Sequence, residues 1–146
     1  MLYVRDLERS AAFYRDAFGF EEVTRMGPMS LMRAAGSQNQ HDLGLMQVGA
    51  DAPSPPRGST GLYHLAWQVG SIEELAHARE VLAELEALGG QSDHGATKSL
   101  YGSDPDGNEF EVMYQLPREQ WGEYENTAIV APLRLEEEVA RHGTRA

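Results

Sequence analysis

Three side chains, His64, Tyr101 and Glu111, have the types and the spacing to act together. His64 and Glu111 each lie in a run of strand-forming residues. The stretch Asp104-Pro-Asp-Gly-Asn108 predicts a tight turn, because proline presets φ while glycine and asparagine tolerate positive φ. If a hairpin closes about this turn, Tyr101 lies nearly opposite Glu111. A phenol and a carboxylate would then be neighbours on one face of a sheet.

An imidazole and a carboxylate are two of the three ligands in the facial triad that holds Fe(II) or Mn(II) with open positions. Alternation places Phe110, Val112 and Tyr114 on one face of the last strand and Glu111 on the other. A single strand histidine such as His64 is more often satisfied locally or exposed, and a single strand glutamate is most often a surface residue. The combination favours a metal site over either residue taken alone.

The remaining histidines are weaker candidates. His41 lies at a loop–strand junction, and His94 lies beside Gly95 in a loop. Without further context both are ordinary loop histidines. His77 on the solvent face of a predicted helix and His142 in the tail are assigned no role.

Two predicted helices are the best-defined elements that could position these side chains. The first begins after an Asp6 N-cap, ends at Gly19, and carries a buried stripe of four residues, Leu7, Ala11, Tyr14 and Phe18. The second runs from a capping box of Ser71 and Glu74 to a glycine stop at Gly89-Gly90. Its predicted buried stripe is apolar throughout: Ile72, Leu75, Ala78, Leu82 and Leu85.

The order strand–helix–three strands occurs twice, and this internal repeat is the strongest organisational signal. We predict an α+β fold of two βαβββ repeats that form curled mixed sheets. Residues 1–48 form the first module, 49–61 a linker rich in proline, serine and glycine, and 62–116 the second module. Residues 117–146 are a tail with one short helix, which we expect to wrap the body or a partner subunit.

Composition excludes several classes of function. The chain has 146 residues, a formal net charge of −11 and no cysteine. The acidic balance argues against a nucleic-acid partner, and the lack of cysteine excludes disulfides, thiolate metal sites and thiol nucleophiles. No phosphate-cradling glycine loop or nucleophile elbow is present. With no signal peptide and no apolar run of membrane-spanning length, we expect a cytoplasmic protein without a membrane partner.

The duplicated unit and two motifs resemble the vicinal oxygen chelate superfamily. The motifs are Val4-Arg-Asp-Leu-Glu-Arg-Ser-Ala-Ala-Phe-Tyr-Arg-Asp16 and Asp104-Pro-Asp-Gly-Asn-Glu-Phe-Glu111. This group includes glyoxalase I, bleomycin- and fosfomycin-resistance proteins and extradiol ring-cleaving dioxygenases. The resemblance covers about residues 1–116 and implies the fold more specifically than the activity, because one scaffold hosts several chemistries.

Within the superfamily the chain is most similar to the catechol 2,3-dioxygenase branch. His41-Asp-Leu-Gly-Leu45 resembles a stretch whose histidine is an active-site acid–base group, and His64-Leu-Ala66 resembles a metal-binding strand. His94-Gly-Ala-Thr97 is similar to a loop that lines the substrate pocket. Tyr101 precedes Glu111 by the ten residues that separate the family's tyrosine from its metal-binding glutamate. The resemblance thus implies Fe(II), or alternatively Mn(II), on His64 and Glu111.

One feature departs from the family pattern. The family's first metal ligand is a histidine in the opening strand, and counting back from Arg5-Asp6 it should lie just before Met1. It is absent from the sequence, so either the chain begins late or the ligand has been lost. Two ligands instead of three would weaken Fe(II) binding considerably, down to a chain that binds none. The linker between His41 and His64 is also longer than the family's, which leaves the substrate open.

The resemblance implies an extradiol-type dioxygenase that acts on a small catechol-like aromatic and O₂. The first alternative is a metal-free binding protein of the bleomycin-resistance kind, which the missing ligand favours. A glyoxalase-like isomerase ranks lower, because residues 42–48 contain no glutamate for a ligand in the first repeat. Fosfomycin-type transfer would need a basic pocket, and a purely structural dimerisation domain would not need the histidines. We expect a homodimer, since partners usually complete such sheets.

Overall fold

The computed structural model of the chain describes residues 1–143 and divides into two compact units. The first unit comprises Met1–Gly61 and Asp104–Asn108, and the second comprises Leu62–Ser103 and the chain from Glu109 onward. Each unit contains one four-stranded mixed sheet. The predicted α+β class, with the βαβββ order written twice, is confirmed.

The first unit forms a sheet in the order β1-β4-β3-β2, with β1 parallel to β4 and the other pairs antiparallel. Its elements in chain order are β1 (Leu2–Val4), α1 (Leu7–Phe18), β2 (Glu21–Met26), β3 (Met29–Arg33) and β4 (Leu43–Gln47). The core of this unit is apolar and almost fully buried: Leu2, Val4, Leu7, Ala11, Tyr14, Phe20, Met32, Leu43 and Leu45.

The ends of α1 agree with the sequence prediction. The Asp6 carboxylate accepts a hydrogen bond from the Arg9 backbone N–H, which satisfies one of the free donors at the helix N-terminus. Gly19 adopts φ 68°, a left-handed conformation that glycine reaches without steric cost. These two residues therefore fix where the helix begins and ends.

The second unit has the matching sheet order, β5-β8-β7-β6, with β5 parallel to β8. Its elements are β5 (Leu65–Val69), α2 (Ile72–Glu84), β6 (Leu88–Asp93), β7 (Thr97–Ser103) and β8 (Glu109–Gln115). The buried side chains of α2, β7 and β8 form its core: Ile72, Leu75, Leu82, Leu100, Phe110 and Val112.

The predicted end of α2 is wrong. The helix ends at Glu84, and the positive φ that closes it, 55°, falls on Glu86 rather than on a glycine. Gly89-Gly90 lie instead inside β6, at a register shift where Gly90 pairs with Tyr101. Leu85, predicted to be buried, is 41% exposed. The two glycines form a β-bulge rather than a helix stop, a distinction that composition alone does not make.

The tail packs along the outer edge of β6. Ala131 forms an antiparallel bridge with Asp93, in which both backbone polar groups of Ala131 are bonded, at 2.8 and 3.0 Å. Two short 3₁₀ turns precede this bridge, and α3 (Leu135–His142), the one short helix predicted for the tail, follows it. The tail therefore covers a sheet edge whose N–H and C=O groups would otherwise face solvent. None of the helices described in residues 1–143 is long and apolar enough to cross a membrane.

Candidate active site

The β7–β8 hairpin sets Tyr101 opposite Glu111, the pairing that its turn predicts. On the other side of β8, Glu111 is paired with Ala66 of β5. Phe110 and Val112 are 0% and 1% exposed, whereas Glu111 is only partly buried. Strand alternation therefore puts Glu111 on the face of the sheet opposite to these core side chains.

His64 lies immediately before a strand rather than inside one. The strand predicted for residues 62–69 begins at Leu65, and Leu62 and Tyr63 are about three-quarters exposed. The His64 Nε2 lies 3.2 Å from Glu111 Oε2, and the two side chains are 25% and 13% exposed. The His64 Nδ1 is buried and has no hydrogen-bond partner among the described residues.

Tyr101 and His94 extend this cluster. The Tyr101 hydroxyl lies 2.7 Å from His94 Nε2 and 3.3 Å from Glu111 Oε1. The His94 Nδ1 lies 2.9 Å from the carbonyl oxygen of Ile129 in the tail. Burial raises the pKa of Tyr101 above its ordinary value, and the negative charge of Glu111 adds a smaller effect in the same direction. The phenol is therefore neutral, and able to donate its proton, at pH 7.

The geometry of His64 and Glu111 fits two ligands of one divalent cation. First-row ions hold imidazole nitrogen and carboxylate oxygen at about 2.1 Å, so two adjacent ligands of an octahedral ion lie about 3 Å apart. The observed Nε2–Oε2 separation is 3.2 Å. In the part of the chain that the structure describes, no group of three His, Cys, Asp or Glu side chains could hold a metal ion. The described chain thus offers a pair of donors, not a complete triad.

His41 belongs to the first unit, at the junction before β4. Its ring is exposed, and its Nδ1 contacts the side-chain oxygen of Gln40. The adjacent Asp42 organises the loop by accepting hydrogen bonds from the Asn39 side chain and the Ala34 backbone, which lower the pKa of its carboxyl. The acid–base role of His41 stays a prediction.

The turn that predicts the hairpin contains a buried carboxylate of a different kind. Asp104 is 5% exposed and accepts four hydrogen bonds of 2.9 Å. The donors are the backbone N–H groups of Asp106 and Asn108, the Asn108 side chain and the Tyr14 hydroxyl. Burial and the nearby Asp104 charge raise the pKa of Tyr14 far above its ordinary value, so this hydroxyl stays protonated. Asp104 therefore has a structural role.

Asp106 is saturated in the same way within the first unit. Its side chain is 5% exposed and forms ion pairs with Arg5 at 3.2 Å and Arg9 at 3.0 Å. It also accepts a hydrogen bond from the Ser10 hydroxyl and another from the Arg5 backbone N–H. A carboxylate with this many donors is stabilised as an anion and has no oxygen left for a metal or a substrate.

Sequence reasoning missed the contribution of the tail to the cluster. Ile129 acts through its backbone carbonyl, and a main-chain acceptor leaves no signature in a residue type. The one available signal was Gly95, which adopts φ 85° next to His94. A positive φ there identifies a special backbone conformation, but nothing in the sequence connects it to residues more than thirty positions later.

Comparison with known proteins places the chain in a family. Residues 1–112 match the model of the glyoxalase/bleomycin resistance protein/dioxygenase superfamily. Among solved structures, the genomically encoded fosfomycin resistance protein FosX of Listeria monocytogenes superposes with a TM-score of 0.62 at 24% identity, over 82% of this chain and 92% of that one. At this identity the likeness shows the fold alone.

Two curated relatives have named activities. A catechol-2,3-dioxygenase of Bacillus subtilis (strain 168) is 34% identical over 82% of this chain and 41% of its own length. A manganese-dependent 2,3-dihydroxybiphenyl 1,2-dioxygenase of Geobacillus genomosp. 3 is 28% identical over 80% of this chain and 36% of its own length. The chain thus spans about two-fifths of the length of these relatives.

Proposed function

The chain belongs to the glyoxalase/bleomycin resistance protein/dioxygenase superfamily, and we propose that it is an extradiol-type dioxygenase that opens the ring of a small catechol-like aromatic with O₂. The observation that carries the proposal is the 3.2 Å approach of His64 Nε2 to Glu111 Oε2, with Tyr101 against the same carboxylate. The two curated dioxygenases support the reaction class. Since the chain spans only part of their length, the activity of the whole protein is included in this proposal.

His64 and Glu111 are the proposed metal ligands. A bound Fe(II) or Mn(II) ion would supply the Lewis-acid and electron-transfer chemistry that the reaction of a catechol with O₂ requires. The named cofactor of one relative makes Mn(II) a candidate beside Fe(II). One neutral imidazole and one carboxylate are donors that such ions accept, and residues 1–143 supply no third His, Cys, Asp or Glu beside them.

Tyr101 and His94 are proposed to bind and orient the substrate. The raised pKa of Tyr101 keeps its hydroxyl protonated at neutral pH, so it can donate to an ionised catechol oxygen and favour that form. His94 lies on the far side of this hydroxyl, at 2.7 Å, and limits its rotation. We propose that His94 also lines the wall of the substrate pocket and that His41 moves protons during turnover, a task suited to an imidazole near pH 7.

A metal-free binding protein of the bleomycin-resistance kind is the second candidate. One observation favours it: within residues 1–143 no group of three His, Cys, Asp or Glu side chains could hold a metal ion. This reading predicts that the protein contains no metal by elemental analysis and that substitution of Glu111 leaves its ligand affinity nearly unchanged. An isomerase of the glyoxalase kind ranks below both, since β4 offers no glutamate.

Oxygen uptake tests the proposed function. The chain is assayed with catechols and added Fe(II) or Mn(II), once as it stands and once with a preceding strand segment that carries a histidine. We expect oxygen consumption together with a yellow ring-opened semialdehyde. His64→Ala and Glu111→Gln should abolish metal binding. His41→Ala should keep the metal but slow turnover. The control is His77→Ala, on an exposed helix surface, which should change neither metal binding nor turnover. Absence of turnover with any catechol in both forms would contradict the proposal.

A further inference from the structure

The tail forms a row of contacts along the edge strand β6. In addition to the bridge between Ala131 and Asp93, the Gln91 side chain donates to the carbonyl of Leu133 at 2.8 Å. At the other end of the row, His94 Nδ1 lies 2.9 Å from the Ile129 carbonyl. We call residues 129–133 the tail strand. Because its contacts advance antiparallel to β6, they hold the Ile129 carbonyl at a fixed place beside the His94 ring.

Both ends of the tail strand are anchored. Upstream, the Tyr124 ring occupies the space beside Gly95, where an added Cβ would lie 2.5 Å from ring atoms. Downstream, α3 supplies Glu138, which is 5% exposed and lies 3.4 Å from the ammonium of Lys98. Lys98 is itself 4% exposed and pairs with Asp93 at 2.6 Å. Breaking a buried pair of this kind is costly, so the tail strand is held firmly against β6.

We infer that the tail strand positions His94 by fixing its tautomer through the Ile129 carbonyl. A carbonyl oxygen only accepts hydrogen bonds, so the His94 Nδ1 must carry a proton. In the neutral ring Nε2 is then an acceptor, and the Tyr101 hydroxyl 2.7 Å away must be the donor. The carbonyl group of Ile129 therefore determines which atom is the donor in both hydrogen bonds of the His94 ring.

This direction has a consequence for Glu111, which rests on its proposed role as a metal ligand. In the protein without substrate, the tail strand directs the single proton of Tyr101 toward His94 at 2.7 Å rather than toward Glu111 at 3.3 Å. In the opposite tautomer His94 would donate to the phenol oxygen, and the Tyr101 proton would turn to the Glu111 carboxylate. That hydrogen bond to Oε1 would draw negative charge away from the carboxylate, whose other oxygen, Oε2, faces His64, and would weaken it as a ligand. The tail strand therefore keeps Glu111 available as a ligand.

The tautomer is measured by long-range ¹H–¹⁵N spectra of the imidazoles in the ¹⁵N-labelled full chain without metal, with the His94 signals assigned from a His94→Asn sample. We expect the Nδ1–H form in the unaltered protein. We also expect it in Tyr101→Phe, because the tail and not the phenol sets it. An Nε2–H ring in the unaltered protein would overturn the inference without any variant, and so would loss of the Nδ1–H form in Tyr101→Phe.

Two proline substitutions form a matched pair. Ala131→Pro removes the N–H that donates to Asp93 and should release His94 to the mixture of tautomers found in free imidazole. Val130→Pro puts the same ring at a neighbouring residue whose side chain is 83% exposed, outside the bridge, and should keep Nδ1–H. Retention of the Nδ1–H form in a folded Ala131→Pro variant would refute the inference.

The Mn(II) affinity of Ala131→Pro should fall about 10-fold. Because the spectra need neither metal nor turnover, they stand even if the proposed dioxygenase activity fails.

Discussion

Two regions of this molecule hold carboxylates in opposite surroundings. In the turn Asp104–Asn108, Asp104 and Asp106 each accept several hydrogen bonds, and their oxygens are fully used. In the cluster of the second unit, Glu111 has one hydroxyl at 3.3 Å, and the neighbouring His64 ring has a buried Nδ1 without a partner in the described chain. Saturation is typical of a carboxylate that holds structure together, and incomplete satisfaction is what we expect of the metal ligand that we propose Glu111 to be.

The two regions differ in how much their carboxylates contribute to the free energy of unfolding. Each hydrogen bond to a charged group contributes about 1.5–3 kcal/mol, and a buried group left unpaired costs about as much. The Asp104 turn therefore stabilises the fold, whereas the Glu111 cluster gives up part of that stabilisation, as is common at functional sites.

The largest effect is expected at Asp104. Asp104→Ala removes four hydrogen bonds and leaves the Tyr14 hydroxyl buried without its acceptor, so the free energy of unfolding should fall by about 3 kcal/mol or more. Denaturant unfolding followed by circular dichroism measures this loss. Asp51→Ala, at an exposed position of the same unit, is the control and should change stability little. If the two variants were equally stable, the proposed structural role of the Asp104 turn would be contradicted.

The next effect concerns alkaline pH. The folded-state pKa of Tyr14 is raised, so its contribution is complete below the unfolded pKa of about 10 and is lost as pH rises above it. We expect the free energy of unfolding to fall by up to about 1.4 kcal/mol per pH unit above pH 10, beyond the slope of Tyr14→Phe. Tyr63→Phe, at a tyrosine that is 74% exposed, should keep the original slope. Unchanged pH dependence in Tyr14→Phe would be inconsistent with a buried, proton-donating hydroxyl.

The smallest effect is expected at Glu111 in the absence of metal. Because its carboxylate has only one hydroxyl and one imidazole nearby, Glu111→Gln should change the free energy of unfolding by less than about 1 kcal/mol. The same thermal or denaturant unfolding measures it, with Asp104→Asn as the matched substitution in the saturated turn. A loss at Glu111 as large as that at Asp104 would erase the distinction between the two regions.

Local signals in the sequence predicted much of this arrangement. The helix cap at Asp6, the stop at Gly19 and the pairing of Tyr101 with Glu111 all follow from backbone preferences over a few residues. The internal repeat predicted the fold class, because each unit needs the same set of helices and strands to bury its apolar faces.

The parts that sequence could not predict depend on long-range contacts. The role of Gly89-Gly90 was misassigned because a helix stop and a bulge need the same residue type. The donors that saturate Asp106, such as Arg5, lie about a hundred positions away in the chain, and the Ile129 carbonyl has no side-chain signature. The sequence predicts the turn at residues 104–108. It does not show whether the carboxylates of that turn are structural or catalytic, because several of their hydrogen-bond donors are distant in the chain.

Manganese titration tests the central claim most directly. Mn(II) is added to the chain, to Glu111→Gln and to Asp106→Asn, and free Mn(II) is followed by electron paramagnetic resonance. The account predicts one site per chain, at least about 10-fold weaker binding in Glu111→Gln, and unchanged affinity in folded Asp106→Asn, whose carboxylate is already saturated. Equal Mn(II) affinity in the unaltered chain and in Glu111→Gln would contradict the assignment of this carboxylate as a metal ligand.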